Sequence, residues 1–310
     1  MRKNQTPAAL IGVFFIVILA AISAGCSRAG GVTSPIEESS PSAAATATFT
    51  LPAPTPTATP EPLALRIDGE GVPLAEFDAQ VIQIQAADAE LGITRTEEEQ
   101  RQAALAELID QTLLARAAAQ AGFELSEAQV DARIAELKRQ MGDEAAFNEW
   151  LSENGYSESS FRSALARSIR AAWQRDQILA GVPDPTEQVK ARQVLVRSRE
   201  TAEQILAQLT AGADFSAIAF QYDPLTGGDL GWFPRGFLTQ PAVEEAAFQL
   251  QPGEVSDIIE TDFGFHILQV VERDAQRPLS AEAKLVLQQN SLETWLESRR
   301  LAAVIEILLP

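Results

Sequence analysis

His266 is the one imidazole in 310 residues and Cys26 the one thiol, so the side chains that most often carry acid-base, nucleophilic or metal chemistry occur singly. A Cys/His zinc cluster and an intramolecular disulfide cannot be assembled from them. Carboxylate-only metal sites stay possible, but the sequence carries no loop signature for one. His266 lies in GFHIL, which reads as a strand, and neither a nucleophile elbow nor a matching Ser motif accompanies it, so a serine-hydrolase triad is a weak reading. The other stretch with chemical content is TGGDLGWFPRG, residues 226–236, which sets four glycines beside a Trp-Phe pair and a Pro. Glycine permits backbone angles and close approaches that other residues cannot make, while the aromatic rings supply wide apolar surface. Such a stretch makes either a tight turn under a core or the wall of an apolar pocket.

Composition narrows the partners. The chain is 46% hydrophobic and 22% charged, ordinary globular material, with a formal net charge of -19. A surface that acidic repels a phosphate backbone, so no nucleic-acid partner is expected. Arg2 and Lys3 followed by an apolar run from Ala8 to about Ala24 make residues 1–25 an export signal. The run is roughly 17 residues long, near the lower limit for spanning a bilayer. Ser23-Ala24-Gly25-Cys26 resembles a bacterial lipobox, with Ser23 where an aliphatic residue is usual. Beside a free secreted form, two anchors are therefore open: a lipid on Cys26, where two acyl chains would suffice for stable attachment, or an uncleaved N-terminal helix. Either places the folded part on the extracytoplasmic face of the bacterial cell membrane.

Residues 26–62 are rich in Ser, Thr, Ala and Pro, with too few large apolar side chains to fold, and read as an extended tether. ALRIDGEGVPLAEF, residues 64–77, reads as a short strand or hairpin leading into a helix. Amphipathic helices follow, with Leu105, Leu108, Ile109 and Leu113 on one face and Gly122 as a stop. Ser126 and Gln129 have capping-box spacing ahead of Val130, Ile134, Leu137 and Met141. Phe147, Trp150 and Leu151 precede the turn Asn154-Gly155, and Phe161, Leu165, Ile169 and Trp173 continue helically to an end near Gln177. Beyond a linker, VPDPTE, the pattern becomes strand (ARQVLV, 191–196), two helices, the glycine-aromatic stretch, another helix, and a strand pair around TDFGFHILQVVER. That order, strand, helix, helix, strand, helix, strand, predicts a small α+β domain of helices around a mixed sheet. The tail returns to helix and ends in the strand-like AVIEILL, expected to pair with ALRI at the other end of the folded region.

ARQVLV, AGADFSAIAFQYDP, GGDLGWFPRG and VEEAAFQLQPGEVSDIIETDFGFHILQVVER, in this order over residues 188–273, resemble a parvulin-type peptidyl-prolyl cis/trans isomerase domain. The flanking helices, residues 63–182, and the returning segment, residues 278–310, resemble the chaperone part of exported foldase lipoproteins. The implied fold class is α+β, a parvulin-like α/β domain inserted into a mostly α-helical chaperone-like domain formed by the N- and C-terminal segments. The resemblance implies that Leu230, Phe233, Leu238 and Val243 form the apolar slot for a substrate proline ring. It further implies that Asp223, His266 and Gln193 flank the slot as catalytic polar groups, with Thr261 steadying His266. Three departures stand out: Gln193 occupies the place of a family histidine, Val243 replaces a usual Phe with one extra residue before it, and the loop from Tyr222 to Gly227 is short. The region after the first strand is only RSRE, so Arg197 and Arg199 are expected to be solvated charges and not a phosphate-selecting loop.

Isomerisation needs no cofactor and no nucleophile. The barrier is the partial double bond of the amide, about 18–20 kcal/mol, and a water-poor pocket lowers it by favouring the less polarised, twisted amide while the ring is gripped. The implied activity is cofactor-independent isomerisation of Xaa-Pro bonds in unfolded exported polypeptides, combined with holding of those chains by the helices. The competing reading is a membrane-anchored chaperone whose parvulin domain binds without turnover.

Overall fold

The computed structural model describes residues 61–309. The export signal, Cys26 and all but the end of the tether lie outside them. The helical part opens with β1 (Leu63–Ile67) and β2 (Glu70–Pro73), an antiparallel hairpin turning at Asp68-Gly69, and runs into α1 (Leu74–Leu91). Four helices follow: α2 (Glu97–Gln120), α3 (Glu127–Met141), α4 (Glu144–Glu153) and α5 (Glu158–Ala180). Thr96 with Glu99 and Ser126 with Gln129 each close a reciprocal capping box, which satisfies N–H groups that the first helical turn leaves orphaned. The α5 helix runs past the expected stop at Gln177 to Ala180.

Apolar stripes of these helices meet in separate small cores. Phe77, Leu108 and Leu113 pack with the hairpin residues Leu65, Ile67 and Val72. Val130, Ile134, Phe147, Phe161 and Leu165 form a second cluster, in which the Phe147 and Phe161 rings meet edge to face at 5.5 Å. A buried ion pair, Glu76 with Arg167, pins α1 to α5. Burial pulls the Arg167 guanidinium down to about 10, so it stays charged at neutral pH and needs its partner there.

The second part is built on β3 (Thr186–Val196), α6 (Arg199–Thr210), α7 (Phe215–Tyr222), β4 (Asp229–Pro234), α8 (Pro241–Gln249), β5 (Ile259–Thr261) and β6 (Gly264–Arg277). The strands lie in the order β4-β3-β6-β5. Every neighbouring pair is antiparallel, which corrects the expected mixed sheet. The glycine-aromatic stretch supplies the expected strand, Asp229–Pro234, but after the two intervening helices it runs antiparallel to β3. The β3 strand begins at Thr186, inside the expected linker. One sheet face packs on α6 and α7 through Val194, Val196, Ile205, Phe215 and Ile267, the other on α8.

From β6 the chain enters α9 (Ala281–Ala302), which lies on α2 and α5 through Leu292, Trp295 and Leu296, then β7 (Ile305–Ile307). The β7 strand pairs antiparallel with β1, joining the two ends of the folded region as expected. The parvulin-like part is thus an insertion between α5 and α9, and among the described residues no helix is long and apolar enough to cross a membrane.

Removing one member of the buried pair strands the other charge. Arg167→Ala should lower unfolding free energy by about 3–5 kcal/mol, while the double change Glu76→Leu with Arg167→Met should regain most of it. Urea titrations of the three proteins check this, and a single variant as stable as wild type would remove the pair from the account of how α1 is held.

Candidate active site

The β3-β6 register decides which side chains share a face. Gln193 pairs with Leu268 and Leu195 with His266, while Ile259 of β5 faces His266 from the other side. Paired residues in a sheet project together and alternate along each strand. Gln193, Leu195, Ile259, Thr261, His266 and Leu268 therefore line one face, the face that α8 covers further along.

Three polar residues predicted from the sequence meet here. With the Gln193 amide oxygen toward the ring, His266 Nδ1–H donates to Gln193 Oε1 at 2.8 Å. That fixes the tautomer, so His266 Nε2 accepts from the Thr261 hydroxyl, also at 2.8 Å. Thr261 Oγ1 in turn accepts the Phe263 N–H at 3.1 Å. Burial pushes the imidazole below the ordinary histidine range, so the ring is neutral at physiological pH. His266 is only 3% exposed, whereas Gln193 and Thr261 are half-buried. The imidazole sits behind the two polar groups and orients both, instead of standing at the surface itself.

The four slot residues converge in one cluster with Val189, Ala191, Ala247, Phe248, Leu268 and Val270. Their exposures differ in a way the sequence did not reveal. Phe233 is 0% and Val243 3% exposed, so they form a floor; Leu230 and Leu238 are half-buried and keep accessible apolar surface. Phe248 meets Phe233 edge to face at 6.0 Å, and Ile259 and Phe237 pack on the same cluster.

Asp223 is engaged by its own backbone neighbours. Its carboxylate hydrogen bonds go to its own short loop: the N–H groups of Leu225 at 3.1 Å, Thr226 at 3.2 Å and Gly228 at 3.3 Å, and the Thr226 hydroxyl. Those bonds, the Thr226 hydroxyl foremost, hold the carboxyl below the usual range. What Asp223 organises is the turn that hooks onto β3, where Gln193 N–H donates to the Gly228 carbonyl at 2.8 Å. A Cβ at Gly228 would lie 1.9 Å from the Gln193 carbonyl oxygen, so glycine is required for that approach.

Glu244 escaped the sequence reading. Its carboxylate, in the first turn of α8, accepts the N–H groups of Gly236, Phe237 and Leu238 at 2.6, 2.9 and 2.9 Å. The available signal was an acidic residue at a helix start just after a glycine-containing loop. Arg273 holds the other end of α8 by donating to the carbonyls of Phe248 and Leu250 at 2.8 and 2.7 Å. Arg199 is engaged with Glu260 and lies over the Phe265 ring at 4.9 Å.

An antiparallel sheet with helices on both faces, an apolar cluster under α8 and a threonine-imidazole-amide chain beside it define a parvulin-type rotamase domain carried on a helical scaffold. The model of the PPIC-type PPIase domain matches residues 177–274 and that of the SurA-like N-terminal domain matches residues 1–174. The chain belongs to the family with this SurA-like N-terminal domain, followed here by the parvulin-type domain. It is 37% identical over 113 residues to the foldase protein PrsA of Geobacillus sp. (strain WCH70), covering 34% of this chain and 41% of that protein. To foldase protein PrsA 2 of Bacillus anthracis it is 31% identical over 189 residues, 58% of this chain and 63% of the relative. Both matches span less than two thirds of the relative's length. A crystal structure of peptidylprolyl isomerase (PrsA) from Bacillus anthracis aligns over 64% of this chain and 96% of its own, at 25% identity and a TM-score of 0.40.

A neutral buried imidazole links the site to pH. The folded pKa of His266 lies below its unfolded value near 6.5, so below that pH the unfolded chain binds more protons and stability falls as pH drops toward the folded pKa. Glu107 and Asp110, whose carboxyls burial raises, contribute in the opposite sense as pH falls. The measurement is therefore the difference between wild type and His266→Gln in urea midpoint from pH 7.5 to 5. Wild type should lose more stability over that range, and parallel profiles would show that His266 is not held neutral.

Proposed function

We propose that the chain catalyses cis/trans isomerisation of Xaa-Pro bonds in unfolded exported polypeptides and that its helical part holds those chains during the reaction. One observation carries the reading: Leu230 and Leu238 keep exposed apolar surface over a floor of Phe233 and Val243, on the sheet face that also carries Gln193, Thr261 and His266. A proline ring is a compact apolar body, and an apolar recess of this kind binds it without a charged partner.

In this mechanism the ring is gripped between Leu230 and Leu238, and the residue before proline rotates about the amide bond. The planar amide is polarised and well solvated, whereas the twisted one is less so, and an apolar surrounding stabilises the second relative to the first. Lowering the barrier by about 4 kcal/mol would give roughly a thousandfold acceleration. Gln193 and Thr261 supply the polar groups beside the turning bond, each fixed in direction by His266. Asp223 acts indirectly, by holding the Gly228 turn against the backbone of Gln193. No group changes its covalent state and no proton is consumed, so a Gln can serve where a titrating residue would add nothing to the energetics.

The export signal and Cys26 support an extracytoplasmic setting, with attachment to the membrane through lipid on Cys26 or through an uncleaved N-terminal helix. The helices offer unfolded clients exposed apolar side chains such as Leu91 and Leu285.

Unaided Xaa-Pro bonds interconvert in tens to hundreds of seconds, slow enough for a direct assay. Wild type should accelerate isomerisation of short Xaa-Pro peptides. Leu238→Ala should lower kcat/KM about tenfold, with a smaller loss for Thr261→Val. A wild type that binds such peptides without accelerating them would leave the chain a holding chaperone.

A further inference from the structure

The loop that carries Leu238 is held from two sides, and one of them is not part of the isomerase. On the inner side the backbone N–H groups of Gly236, Phe237 and Leu238 all end on Glu244. The Gly236 carbonyl points the other way and accepts from Asn290 Nδ2 at 2.7 Å. Asn290 is on α9, whose packing partners are the α2 and α5 helices of the helical part. Leu287, on the preceding turn, closes on the same glycine: a Cβ added to Gly236, at φ +82°, would lie 3.3 Å from Leu287 Cδ2. Glu244 alone would let the loop move together with the first turn of α8, because both belong to one body. A hydrogen bond from a second body removes that freedom.

We infer that Asn290 is a positioning residue for the isomerase site: by seating Gly236 it fixes where Leu238 stands over Phe233 and Val243, so the helical part sets the width of the proline slot. The inference rests on the isomerase reading above. Its kinetic signature follows from what the loop does. A loop that must be ordered afresh each time substrate arrives costs affinity, while the twisting of an already gripped amide is unchanged. The effect therefore falls on KM and not on kcat. A second link across the same junction serves as a reference: Lys284, also on α9, pairs with Asp184 at 3.1 Å without touching the loop.

The test uses the full chain, an Xaa-Pro peptide, its dissociation constant by NMR titration and its catalysed isomerisation. Asn290→Ala should raise Kd and KM about threefold with kcat unchanged. Asn290→Asp should do the same, since a carboxylate cannot donate to the Gly236 carbonyl. Lys284→Ala should leave all three constants at wild-type values. Unchanged Kd in Asn290→Ala, wild-type behaviour of Asn290→Asp, or an equal shift in Lys284→Ala would each overturn the inference. A wild type that binds peptide without turnover sinks the isomerase reading but leaves the Kd comparison to decide this one, and a wild type that does neither overturns both.

Discussion

The pairing of β3 with β6 is the constraint on which the rest depends. Because side chains alternate along a strand, a slip of one residue would send Gln193 to the face packed on α6 and α7 and leave His266 without its amide partner. The register is fixed by apolar side chains on both faces. Val194, Val196 and Ile267 are committed to one core, and Ala191, Leu268 and Val270 to the other, so no slipped pairing satisfies both. A register shift on β6 between Val270 and Glu272 keeps the pattern intact along the longer strand: Val189 still faces Arg273, which reaches the carbonyls that end α8.

The same strands connect the site to its scaffold. The inserted part leaves α5 and returns to α9 through neighbouring segments, and these are stitched to each other. Gln188 donates to the carbonyls of Arg277 and Pro278 at 2.9 and 3.1 Å, and Asp184 accepts the Leu279 N–H at 3.0 Å. At the far end of α9, Arg300 reaches Asp110 on α2, and β7 closes on β1. One helix thus carries, along its length, the junction with the insertion, the contact to the slot loop and the closure of the N-terminal hairpin. This is the structural sense in which two parts of different composition behave as one object.

Much of the organisation was legible in the sequence because its signals are local. A Ser and a Gln three apart ahead of an apolar stripe report the start of α3 through two hydrogen bonds made within one turn. AVIEILL reads as a strand in need of a partner, and ALRI was the unpaired candidate. What escaped reading depends on non-local geometry. The order of strands and helices was legible but strand direction was not: Asp229–Pro234 runs antiparallel to β3, and the sheet is antiparallel throughout. The convergence of Leu230, Phe233, Leu238 and Val243 came from resemblance, but which two would be floor and which two rim depends on how α8 lies across them. The bonds of Asp223 to its own loop arise because that loop is short enough for its N–H groups to reach the two carboxylate oxygens. Glu244 carries no motif, and its role exists only once the preceding loop folds back over α8.

The polar chain beside the slot bears on how Gln193 would serve in the proposed reaction. In a single-histidine chain of hydrogen bonds the ring can be Nδ1–H or Nε2–H, and an alternation between them would reverse both flanking dipoles. Here the Gln193 amide oxygen on one side calls for a donor, so Nδ1 carries the proton and Nε2 is left to accept from the Thr261 hydroxyl on the other. The ring therefore has one tautomer, and burial keeps it from taking a second proton at neutral pH. A second histidine at position 193 would add a group that can itself take up a proton, whereas the amide of Gln193 stays neutral. Gln193 keeps its hydrogen bond to the ring without titrating, and the proposed reaction, which turns an amide without transferring a proton, asks for no more.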